Sequence, residues 1–300
     1  MRISVLSAAA LLLLAPGLAA QARPRAPTPP RAPATTAVAP AAGPLFPATD
    51  PRVHVVTIPG TIPQPRPAAI LLPRDYETSG VRYPVLYLLH GLGGAWDNWL
   101  SRTNVLEYTA DLPLIVVMPD AGDSWYANSA TDTTQKFQHY IAQDVVQYVD
   151  AHFRTLPFAQ ARYLAGLSMG GYGALILATK FPNRWSLAAS LSGAVSMAKS
   201  SDIPSTNAAF GPVGSATRDS ADLLALLRRA DPRGLPYYYL DCGTGDRLIQ
   251  GNREVAAILS ERALPYEYHE VRGVHDWEMW NRRIPVVLQL VRQRIRALGQ

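Results

Sequence analysis

The sequence predicts an α/β domain: a mostly parallel central sheet with helices on both faces. Three observations carry that expectation. Short apolar runs with the length and composition of buried strands alternate with longer segments whose apolar residues recur at helical spacing. Around residues 162–180 one such junction is compressed to a strand, a Gly-rich turn and a helix, with no loop between. The part of the chain carrying these patterns, residues 48–300, is long enough for one well-cored domain, burying about three quarters of its surface on folding. Its single cysteine, Cys242, permits no internal disulfide, so the core must supply the stability.

Residues 1–22 read as an address. Arg2 gives a positive start, residues 3–14 an apolar run too short to cross a bilayer, and Ala20-Gln21-Ala22 a small-residue cleavage site. Export to a secreted or periplasmic location is expected, without stable membrane insertion of the mature chain. Residues 23–47 are rich in Pro, Ala, Thr and Arg and cannot bury enough surface to offset ordering, so they read as a disordered tether. Arg2, Arg23, Arg25 and Arg31 account for all but one unit of the net charge of +5. The remaining domain is nearly neutral, which gives no support to a nucleic-acid partner.

Residues 53–58 and 68–72 read as leading strands, paired antiparallel at one edge. Residues 83–89 form a fully apolar strand ending in His90-Gly91-Leu92-Gly93-Gly94, where main chain can approach a ligand and a free amide could hold an oxyanion. Residues 112–118 are the next buried strand, followed by a polar and aromatic loop through Trp125 and Tyr126 that suits a pocket wall. Residues 139–153 have helical spacing, with His139 and His152 as surface positions.

The strand at 162–165 leads into Gly166-Leu167-Ser168-Met169-Gly170-Gly171, and an Ala- and Leu-rich helix follows over 172–180. A serine hydroxyl attacks only when it stands exposed beside a base and beside donors for the oxyanion it creates. A sharp turn between strand and helix places it so, with the Met169 amide at the helix N-terminus where negative charge is favoured. Residues 185–191 are another strand. Residues 192–220 run through Ser, Asn, Gly and Pro with little periodicity and suggest a lid or substrate-selecting loop. A short helix over 222–229, a strand over 236–241, a helix over 254–262, a strand over 266–271 and a last helix over 285–298 complete the chain.

Two further residues complete a constellation. Asp246 follows the strand at 236–241 and His275 follows the next one, and parallel strands bring their C-terminal ends, with Ser168, to one sheet edge. The order nucleophile, acid, histidine is that of the α/β-hydrolase arrangement. Asp241 lies within its strand and faces a sheet side, while Asp276 adjoins His275 too closely to orient it. His269-Glu270 lacks the second histidine of a zinc motif, because position 273 is glycine, and Cys242 continues a buried strand. No metal and no cofactor is expected.

Leu88-Leu89-His90-Gly91, Val117-Met118-Pro119-Asp120, the run from Gly166 to Gly173, Cys242-Gly243-Thr244-Gly245-Asp246 and His275-Asp276-Trp277-Glu278-Met279-Trp280 together resemble the esterase D group. That group takes in S-formylglutathione hydrolases, feruloyl and acetyl-xylan esterases and the antigen 85 acyltransferases, and the resemblance runs from about residue 53 to residue 296. It implies an α/β-hydrolase fold, with the amides of Leu92 and Met169 as the oxyanion hole. An export signal argues against the cytosolic S-formylglutathione role.

The expectation is therefore an exported serine ester hydrolase acting through Ser168, His275 and Asp246 on small acyl or phenolic esters, free or linked to polysaccharide. Trp99, Trp125, Tyr126 and Trp277 each follow a buried parallel strand and are expected to gather around Ser168 as the substrate-binding wall. An acyltransferase would use the same acyl-enzyme. A non-catalytic binding module would keep only the fold.

Overall fold

The computed structural model describes residues 50–299. The export signal expected over 1–22 and the tether over 23–47 lie outside them. Eight strands form one sheet in the order β1-β2-β4-β3-β5-β6-β7-β8. They are β1 (Val53–Ile58), β2 (Arg66–Leu71), β3 (Val85–Leu89), β4 (Ile115–Pro119), β5 (Arg162–Leu167), β6 (Leu187–Leu191), β7 (Tyr237–Gly243) and β8 (Tyr266–Val271). β1 pairs with β2 and β2 with β4 antiparallel, as expected for a leading edge pair, and every other pairing is parallel.

The principal helices are α1 (Val145–His152), α2 (Met169–Lys180), α3 (Leu223–Arg229), α4 (Ile249–Glu261) and α5 (Trp277–Ala297). Alternation along the strands divides the core in two. Val85, Tyr87 and Leu89 of β3 face a layer with α1, α2, α3 and α4, whereas Leu86 and Leu88 face the layer holding α5 and the short helix Asn98–Arg102. Central strands are thus apolar on both faces, which explains their unbroken hydrophobic runs. α1 continues a stretch through Phe137–His139 and a π-helical turn at Tyr140–Asp144, where Asp144 accepts hydrogen bonds from the Thr61 amide and hydroxyl.

Two expectations about elements need correction. The last helix begins at Trp277, eight residues before Pro285: Asp276 caps it by accepting the Met279 N–H at 2.9 Å. Proline is favoured at the first helical position, which drew the expected start to Pro285, yet here it sits inside the helix. Residues 192–220 are not one long irregular loop. They contain three short helices, Met197–Ser200, Pro204–Phe210 and Ala216–Asp219, gathered by the buried guanidinium of Arg218. Arg218 donates to the carbonyls of Gly211, Ala198 and Ser201 and to Asn207 Oδ1.

Candidate active site

β5 and α2 meet at an abrupt turn because their backbones touch. A Cβ on Gly166 would stand 2.4 Å from the Gly170 carbonyl oxygen, and one on Gly170 would stand 2.5 Å from the carbonyls of Leu89 and His90. At the apex Ser168 has φ 52° and ψ −116°, a conformation that L-residues rarely adopt. The end of β6 holds it there: the Ser168 N–H donates to Leu191 O at 3.0 Å, and Ser168 O accepts the Ala194 N–H at 2.9 Å.

The sheet edge brings the three separated residues into one hydrogen-bonded chain. Ser168 Oγ lies 2.9 Å from His275 Nε2, 107 residues away in sequence, and His275 Nδ1 lies 2.7 Å from Asp246 Oδ2. Asp246 accepts the Leu248 N–H at 2.9 Å on its other oxygen, so both carboxylate oxygens are engaged. Burial opposes its charge, but the bonds from His275 and Leu248, together with Ser192, hold its carboxyl below the usual range. The acid is fully buried while the imidazole keeps 22% of its side chain accessible, so the reactive end of the chain faces solvent. Behind the imidazole, Trp280 packs edge-on at 4.9 Å and Trp277 packs on Trp280 at 5.2 Å.

Met169 follows Ser168 directly, and Leu92 lies in the turn after β3. Met169 opens α2, so its N–H has no acceptor one turn earlier within the helix. The loop after β3 presses on Ser168 from the other side: a Cβ on Gly91 would lie 3.5 Å from the Ser168 Cβ. His90 is buried beneath that loop. Its Nε2 accepts the Ala121 N–H at 3.0 Å, which leaves the proton on Nδ1 to donate to Gly91 O at 2.8 Å, and burial lowers its pKa.

Other candidates take structural places. Asp241 is buried against Arg283 at 2.8 Å and accepts from the Tyr239 hydroxyl at 3.0 Å. Cys242 is buried in β7 with its thiol pKa pushed up to about 12 by burial and by the nearby Asp246 charge. Among the described residues no cluster of three or more His, Cys, Asp or Glu could hold a metal, and no helix is long and apolar enough to cross a membrane.

The expected aromatic wall is corrected. Trp99, Trp125 and Tyr126 are 0%, 1% and 0% exposed and cannot meet a substrate. Trp99 sits on a helix facing the α5 layer and donates to Leu89 O at 3.0 Å. Trp125 and Tyr126, both at positive φ, turn inward: Trp125 packs on Tyr172 and Phe210, and the Tyr126 hydroxyl donates to His90 O at 2.8 Å. Trp277 alone of the four is partly exposed. Trp280, packed against His275, is absent from the expected wall because the last helix is expected to begin only at Pro285. A spacing of three residues from Trp277 on one helix was the signal that could have found it.

A family model described as "Putative esterase" matches residues 60–290. The chain belongs to the Esterase family. It is 27% identical over 224 residues to an acetyl esterase of Caldicellulosiruptor saccharolyticus, covering 70% of this chain and 83% of that one. It is 31% identical over 236 residues to Esterase Rv1288 of Mycobacterium tuberculosis, a match spanning 69% of this chain and about half (51%) of that relative. Among solved structures, the fluorophosphonate-binding serine hydrolase FphF of Staphylococcus aureus superposes with a TM-score of 0.72 at 26% identity, covering 80% of this chain and 98% of that one. The fold is that of the α/β-hydrolases, and this Esterase family member is a serine carboxylic ester hydrolase.

Proposed function

We propose that this esterase family member works through a Ser168-His275-Asp246 triad as an exported hydrolase of short acyl or phenolic esters, free or linked to polysaccharide. The observation that carries the triad is the continuous Ser168–His275–Asp246 hydrogen-bond chain at a strained turn. Ser168 Oγ attacks the ester carbonyl as His275 Nε2 takes its proton, and the amides of Leu92 and Met169 hold the oxyanion. His275 returns the proton to the departing alkoxide or phenolate, leaving an acyl-serine. Water, deprotonated by His275, then releases the acid and restores the serine. Asp246 holds the Nδ1 proton and stabilises the imidazolium without itself becoming protonated.

A short acyl group is supported by the likeness to the acetyl esterase of Caldicellulosiruptor saccharolyticus. Export is supported by the residue pattern at 1–22.

The test is a p-nitrophenyl ester series from acetate to laurate, with methyl ferulate alongside and Ser168→Ala as blank. Short and aryl esters should exceed laurate in kcat/KM by about tenfold, about 1.4 kcal/mol in the transition state. Ser168→Ala should remove turnover by roughly five to six orders of magnitude. Activity within tenfold of the parent, or no labelling by a fluorophosphonate, would overturn the triad. Formation of transferred ester in place of free acid when an alcohol is added would make the enzyme an acyltransferase with the same acyl-serine.

A further inference from the structure

The proposed oxyanion donor at Leu92 stands on an exposed turn, and something other than packing must hold it in place. Leu92 leaves 42% of its surface open to solvent. The turn runs from Gly91 to Gly94, closed by the Gly94 N–H donating to Gly91 O at 3.0 Å, with Gly93 at φ 68°. A positive φ at the third residue is the mark of a type II turn, and the type I alternative differs by rotating the middle peptide through about 150°. That middle peptide joins Leu92 to Gly93. Its N–H donates to one atom outside the turn: Asp123 Oδ1, at 2.7 Å, from the loop after β4. The same loop anchors the start of the turn through the Ala121 N–H to His90 Nε2 and the Tyr126 hydroxyl to His90 O.

We propose that Asp123 is a positioning residue for catalysis: its carboxylate locks the Gly91–Gly94 turn in the form that presents the Leu92 amide to the reacting ester. The inference rests on the oxyanion role given to Leu92 above. Three bonds tie the turn to residues 121–126, but two of them are buried and reach only His90. The bond from Gly93 to Asp123 is exposed and, of the three, alone reaches the outer half of the turn. A hydrogen bond to a carboxylate is short and about twice as strong as a neutral one, which suits an anchor that works in water. Without it, the turn is tied to this loop only at His90, and the Gly91–Leu92 peptide, which carries the Leu92 N–H next to the anchored one, spends less of its time in the orientation that aims it at the oxyanion. Such a loss acts on the transition state, because the developing negative charge needs the donor more than the ground-state carbonyl does.

Asp123→Ala and Asp123→Asn, measured on p-nitrophenyl acetate, separate this role from a structural one. Deleting an oxyanion donor outright costs about 10²–10³ in kcat, so displacing one should cost less, about 10- to 30-fold in Asp123→Ala, with KM within about threefold. Asp123→Asn keeps a carbonyl acceptor at the same reach and should recover kcat to within about threefold of the parent. Affinity for a boronic acid that forms a tetrahedral serine adduct should fall in Asp123→Ala alongside kcat, while Tm stays within about 2 °C, since surface interactions contribute little to stability. The proposal is overturned by an unchanged kcat in Asp123→Ala, by equal impairment of the Ala and Asn variants, or by a rise in KM with kcat intact. If Ser168→Ala is inactive while Asp123→Ala is normal, the triad stands and only this inference falls. If Ser168→Ala stays active, the reading beneath it fails first.

Discussion

At the scale of the residue, two aspartates five positions apart have opposite tasks. Asp246 touches His275, whereas Asp241 neutralises the partly buried Arg283. Asp246→Asn should therefore lower kcat by roughly 10⁴, the scale seen when a triad acid is amidated elsewhere, with little change in Tm. Asp241→Ala should leave most of kcat but cost about 2–3 kcal/mol in urea denaturation. That is below the full cost of breaking a buried pair, because Arg283 keeps a fifth of its side chain in water. Reversed outcomes would exchange their roles. The pH profile follows from the same carboxylate. Asp246 is held below its ordinary 3.8, so it is ionised throughout the range above that value, and its contribution to stability is lost only as pH falls below it. The fall of kcat/KM from neutrality toward pH 4 should then follow uptake of a single proton, with Asp246 still ionised and the native fold intact by circular dichroism. A two-proton limb would show that Asp246 titrates as well. The two aspartates are separable in the sequence because one lies within a strand and the other follows it. The aromatic residues are not: a tryptophan after a strand has the same sequence signature whether it turns outward or, like Trp125, inward.

At the scale of the element, the turn between β5 and α2 stores strain that can be measured. Ser168→Gly relieves a backbone conformation costing about 1–3 kcal/mol but adds unfolded-state freedom worth up to about 1 kcal/mol. Compared with Ser168→Ala, which keeps the Cβ, it should raise Tm by about 2–4 °C, and both should be inactive. Equal melting of the two variants would mean that the turn is unstrained. Gly166→Ala should do the reverse, losing about 3 kcal/mol or more as its methyl meets the Gly170 carbonyl. The segment 192–220 makes a different point about legibility. It lacks periodicity because its helices, at four to seven residues, are too short to show one. What organises it is Arg218, a buried cation satisfied by carbonyls. Arg218→Met should strip those carbonyls of their donor and make residues 197–219 the first site of cleavage by a nonspecific protease.

At the scale of the whole molecule, the proposed active-site residues come from the ends of different strands: Ser168 after β5, Asp246 after β7 and His275 after β8. Strand identity and direction were readable from the apolar runs, since a strand buried on both faces has little choice of composition. Handed that sheet, the convergence of three distant residues follows from topology alone. Depth was not readable, because whether a side chain lines a cleft or fills the space beneath it depends on contacts made across the fold.

The lone cysteine gives this architecture a use of its own. Cys242 lies where β7 packs under α4, with Asn252 Nδ2 at 3.8 Å from its sulfur, and it is sealed from water. Reaction with a disulfide reagent such as DTNB requires those two elements to part, so the thiol is a clock for the opening of the sheet rather than a reactive group. Native enzyme should stay unmodified for hours and react at once in denaturant. At high reagent concentration the modification rate should level off at the opening rate itself, a direct reading of kinetic stability.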